Sequence, residues 1–151
     1  MTEASTGTGS APRAALPAGP VWRAGLLAAL AATVVNGIAW FLLQQVFDVG
    51  LEVPSQLGVT ELTALPLSAV LFVTAFVSLV GAVVLWLLTR QGPSGIRRWV
   101  ILAVAFGALS ALPALGLDTS IGRRLGLVLF HLLATVTVLA VVRQQLARWA
   151  G

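Results

Sequence analysis

Five polar side chains set within long apolar runs, Asn36, Ser78, Ser110, His131 and Thr135, are the positions where this chain can hold or move a small polar group. A polar group in hydrocarbon must find its hydrogen bonds within the protein, so such residues mark either a site or a contact between helices. At ~1.5 Å of rise per residue, Asn36 lies roughly 20 Å from Arg23, Ser78 and Ser110 each roughly 18 Å from Arg90 and Arg98, and His131 roughly 18 Å from Arg143. One polar residue from each of four helices therefore falls at nearly one depth. Thr33, Thr74 and Thr135 stand beside Asn36, Ser78 and His131 at helical spacing. With those faces turned inward, the set forms a connected polar layer slightly outside the bilayer midplane.

Two chemistries fit such a layer. It can bind a small molecule or relay a proton, since histidine titrates near neutral pH. It can equally be the hydrogen-bond network that decides which helices meet. Ser110 has a local account as well: Pro113 leaves the carbonyl of Leu109 without its helical donor, and the neighbouring serine can relieve that defect.

Several other chemistries are set aside by the residues present. One histidine cannot supply a bis-histidine haem or a two-histidine metal centre within one chain, and zero cysteines remove disulfide, iron-sulfur and thiolate-zinc sites. No carboxylate falls inside an apolar run, which argues against a carboxylate proton path or acid/base pair. Asp118 belongs to a turn more than two helical turns from His131, so no Ser-His-Asp set forms. Asp48, Glu52 and Glu61 share a loop that could hold a cation or simply be solvated. There is no glycine-rich phosphate motif. The sequence thus points to no catalytic residue, no metal and no cofactor.

The elements that must position the polar residues follow from composition. Of 151 residues, 58% are hydrophobic and 9% charged, and the mean hydropathy is +0.99. A chain of one-domain length cannot hide that much apolar surface in one core, and the long uncharged runs suit bilayer-spanning helices. Residues 1–20, rich in Ala, Gly, Pro, Ser and Thr, read as a disordered tail. The remaining 21–151 read as one transmembrane domain with helices over about 22–47, 63–89, 96–115 and 121–146. Pro66 sits near the start of the second helix, Gln91 to Gly95 form a tight turn, and Pro113 bends or ends the third helix. The expected fold is all-α, a polytopic four-transmembrane-helix antiparallel bundle.

Arginine placement predicts the orientation. With the N terminus inside, seven arginines (13, 23, 90, 97, 98, 143 and 148) are cytoplasmic, against Arg123 and Arg124 outside. Those two read as an outer-leaflet headgroup contact beside Asp118. Trp22, Trp86, Trp99 and Trp149 fall at the cytoplasmic helix ends as an interfacial belt, with Trp40 toward the outer end of the first helix. Small residues recur every four on the first helix (Gly25, Ala29, Thr33, Gly37) and the third (Ala103, Gly107, Ala111), and this favours close helix packing within the bundle.

Asn36 in the first span, Pro66 opening the second, Ser110 with Pro113 closing the third and His131 in the fourth together resemble an uncharacterised actinobacterial family of four-helix integral membrane proteins, a domain of unknown function. The likeness covers about Trp22 to Val142. It implies the four-span fold, the arginine-rich and lysine-free style of a high-GC genome, and the inner (plasma) membrane as location, where the arginine count makes both termini cytoplasmic. It carries over no catalytic residue. The leading functional expectation is a non-enzymatic bundle binding a small apolar ligand or a partner membrane protein. A small oligomeric transporter or channel with Asn36 and His131 lining the path is the alternative, and a membrane enzyme using His131 as acid/base is a third reading. The expected partners are the lipid bilayer and another membrane protein or a second copy, not nucleic acid.

Overall fold

The computed structural model describes residues 17–54, 61–92 and 94–150. Four long helices dominate: α1 (Ala18–Phe41), α2 (Leu67–Thr89), α3 (Ser94–Leu115) and α4 (Ile121–Ala150). All four are long and apolar enough to cross a membrane. The protein is therefore an all-α, multi-pass membrane protein. One π-helical turn, Leu42–Val46, prolongs α1. Between it and α2 lies a two-stranded antiparallel hairpin, β1 (Glu52–Pro54) and β2 (Leu62–Ala64), with Val53 opposite Thr63.

The helix ends follow from local chemistry, and several differ from the expected bounds. Ala18, Gly19 and Pro20, expected in the tail, open α1; Pro20 falls in the first turn, where a missing N–H leaves no helical bond unmade. Residues 1–16 of the expected tail lie outside the described residues. α2 starts at Leu67 rather than 63, because Pro66 is its extended N-cap (φ −75°, ψ 146°) and the preceding Leu62–Ala64 is committed to β2. α3 begins at Ser94, and α4 continues past residue 146 to Ala150.

α1 packs on both α2 and α4, and α4 on α3, whereas α2 and α3 touch least of the adjacent pairs. Small residues set the close contacts. A Cβ on Gly25 would collide with Ala82 of α2, and one on Gly107 would collide with Thr135 of α4. Both small-residue stripes thus pack inside the chain. Near the α2–α3 turn, Val21, Ala28, Leu85, Trp99 and Val142 form one buried cluster. Trp99, expected in an exposed interfacial belt, is instead 3% exposed, and its indole N–H donates to the Gly81 carbonyl at 2.9 Å. It fastens α3 to α2. Trp22 and Trp86 pack at 5.9 Å between ring centroids, and the Arg90 guanidinium lies 4.7 Å above the Trp86 ring, a cation–π contact.

A second buried cluster closes the hairpin end through Leu51, Ala39, Val70, Ala114, Leu127 and Phe130. The hairpin is stitched to the helices on both sides. Gln44 accepts the Leu51 N–H at 2.8 Å, and the Trp40 indole donates to the Leu65 carbonyl at 2.9 Å. Arg123 of α4 pairs with Glu52 and donates to the Val49 carbonyl at 3.4 Å. Asp48 (φ 49°) and Gly50 (φ 62°) take the left-handed conformation that turns the chain toward this arginine. Arg123 thus tethers the hairpin to α4 through Glu52 and the Val49 carbonyl. Arg124 serves the α3–α4 turn, donating to the Thr119 carbonyl at 3.1 Å.

Candidate functional site: an intramembrane cavity

Where α2 and α3 part, a cavity of about 700 Å³ lies between them, with α4 as its back wall. The α2–α3 turn draws the two helices together at one end, where Gly95 lies against the Leu88 carbonyl too closely for any Cβ. Beyond the Trp99–Gly81 bond they diverge. Val53 and Leu65 of the hairpin region contribute at the far end of the cavity, and Trp99 and Val138 toward the turn end. Val73, Val80, Leu102 and Phe106 line the cavity and are also exposed on the outer faces of α2 and α3. The opening is therefore sideways, between these two helices. The walls are overwhelmingly apolar, and none of the described lining residues is Asp, Glu or Arg.

All five polar residues singled out in the sequence, Asn36, Ser78, Ser110, His131 and Thr135, line this one cavity. Side-chain hydrogen bonds join only Ser110 to His131 among the five, and Asn36 pairs with Thr74 instead, so no continuous layer of direct bonds connects them. On one side the Asn36 amide N–H donates to Thr74 Oγ1 at 3.1 Å, joining α1 to α2. On the other, Ser110 Oγ and His131 Nδ1 lie 3.0 Å apart, joining α3 to α4. Thr135 bonds only within its own helix, donating to the His131 carbonyl at 2.7 Å. Ser78 makes no side-chain hydrogen bond among the described residues.

The Ser110–His131 contact can be donated from either side, according to which ring nitrogen carries the proton. Ser110 also lies 3.1 Å from the Gly107 carbonyl, and its single hydroxyl proton can serve only one acceptor. Donation to Gly107, which can only accept, satisfies both contacts when His131 carries its proton on Nδ1 and donates to Ser110 Oγ. Nε2 is then a bare acceptor, with no partner among the described residues. Ser110 consequently serves Gly107 and His131, not the Leu109 carbonyl that Pro113 leaves without a donor.

Asn36 is 2% exposed, and its Oδ1 is buried with no hydrogen-bond partner among the described residues. As placed, the amide leaves Oδ1 and one of its two N–H groups without a partner among the described residues; turned over, it would leave both N–H groups without one. A buried acceptor without a partner in apolar surroundings is unfavourable, and among the described lining residues Asn36 Oδ1 is the fully buried side-chain oxygen that the fold leaves unserved.

Sequence reasoning grouped these residues, which line one cavity, but missed their pairing. Thr74 reads as a companion of Ser78 on α2, and the structure makes it the partner of Asn36. The hairpin's contribution had no signal, since each three-residue strand holds a single β-branched residue, Val53 or Thr63. The chain belongs to the Family of unknown function (DUF6069), whose pattern it matches over residues 16–148. No curated protein and no solved structure matches it.

Proposed function

We propose that the protein is a non-enzymatic membrane protein that binds a small, largely apolar ligand in the cavity between α2 and α3. The observation that carries this reading is a space of about 700 Å³, inside the ~300–1,000 Å³ range of small-molecule sites, with a few convergent polar groups in apolar walls. Its sideways opening faces the acyl chains of a bilayer, so the ligand arrives from within the membrane. The arginine count supports both termini in the cytoplasm and the hairpin outside, and the lysine-free composition suits a plasma membrane protein of a high-GC actinobacterium.

Native mass spectrometry of protein extracted in mild detergent tests the reading. Wild type is expected to retain a small molecule that Ser78→Phe, which fills the cavity from α2, loses while keeping its helix content. Bare protein in both samples overturns it. A transport path lined by Asn36 and His131 needs water at both membrane faces, whereas buried apolar clusters close both ends of the bundle. Reaction of Ser78→Cys with a membrane-impermeant thiol reagent would favour transport over binding.

A further inference from the structure

We propose that the ligand head is an uncharged hydroxyl, which donates to Asn36 Oδ1 and accepts from the Ser78 hydroxyl. This inference rests on the cavity being a ligand site and adds the chemical class of its occupant. Three observations restrict the head group. First, the site offers an acceptor in need of a donor: Asn36 lines the cavity, and its Oδ1 is buried without a partner among the described residues. A ligand that only accepts, such as an ether, ester or ketone, would set oxygen against oxygen at Asn36.

Second, the described cavity wall holds no Asp, Glu or Arg. A carboxylate, phosphate or ammonium head would therefore be desolvated at membrane depth without a counter-charge, which is strongly disfavoured. Third, the geometry of α2 suits a group that both donates and accepts. Thr74 holds the Asn36 amide, and Ser78 lies one helical turn further along the same face of α2, with its hydroxyl unengaged by any described side chain. A hydroxyl between Asn36 and Ser78 completes both residues. An alkyl chain without a head would fill the apolar walls and leave Asn36 Oδ1 unserved.

The test uses four probes with one tail: hexadecan-1-ol, 1-methoxyhexadecane, hexadecane and hexadecanoate, each at equal mole fraction in lipid nanodiscs carrying the full chain, with adducts counted by native mass spectrometry. Hexadecan-1-ol is expected to bind at least about tenfold more tightly than its methyl ether, a difference of ~1.4 kcal/mol, and hexadecanoate is expected to bind least. In Asn36→Leu, close in shape but apolar, the preference for the alcohol over the ether is expected to fall to about twofold or less. Equal binding of alcohol and ether to wild type overturns the hydroxyl assignment while leaving the cavity a ligand site. No adduct with any probe overturns the binding reading itself. Because the wild-type comparison stands alone, a misfolded variant does not rescue the proposal.

Discussion

Thr135 has two roles: its hydroxyl bonds back to the His131 carbonyl, and its side chain closes over Gly107 of α3. That contact positions α3 and α4 so that Ser110 can reach His131. Gly107→Ala is therefore expected to destabilise the protein by about 1–3 kcal/mol through overpacking, with more than half of the loss recovered in Gly107→Ala/Thr135→Ala. Denaturant titration of helix content in detergent would measure both, and an unchanged midpoint in the single variant would remove the contact from the account. At this scale the sequence offers spacing along each helix but not direction around it. A rise of ~1.5 Å per residue is enough to bring Asn36, Ser78, Ser110 and His131 level, whereas the rotation of each helix about its axis depends on packing with neighbours. That rotation gives Asn36 to Thr74 and leaves Ser78 without a side-chain bond. Trp99 illustrates the same gap, since belt and buried tryptophans occupy similar positions near helix ends and only the Gly81 carbonyl distinguishes them.

At the scale of elements, the four spans were legible because hydropathy over twenty or so residues is a strong signal. The β-hairpin was not, since two three-residue strands carry no readable period and the second adjoins the apolar start of α2. Its anchorage makes a prediction. The Arg123–Glu52 pair is about one-third exposed on each side, so the pair itself is worth ~1 kcal/mol or less. Glu52→Gln is expected to raise hydrogen exchange at the Leu51 and Leu65 amides about threefold to fivefold, with little change at the centre of α1. Those amides are the reporters because they bond to Gln44 and to the Leu51 carbonyl. Unaltered exchange would mean that Trp40, Gln44 and buried Leu51 hold the hairpin without help from the ion pair.

For the whole molecule, seven arginines against two predict that the α2–α3 turn is cytoplasmic. The chain has no cysteine, so single-cysteine variants report without background. In intact cells Glu61→Cys is expected to react with an impermeant maleimide, and Gln91→Cys only after lysis; the reverse pattern would invert the orientation. The open seam between α2 and α3 was beyond the reach of sequence, because it depends on how two helices diverge after a turn and not on what either is made of. The Arg123–Glu52 tether also bears on how the chain is made. Whichever face the hairpin occupies, Arg123 must reach that same face, and it is synthesised 71 residues after Glu52. At ~5–20 residues per second this is a delay of about 4–14 s. The acid is already delivered when the arginine crosses, so the ion pair can form only once the last two helices are inserted, and it is the last of the hairpin's ties to be made.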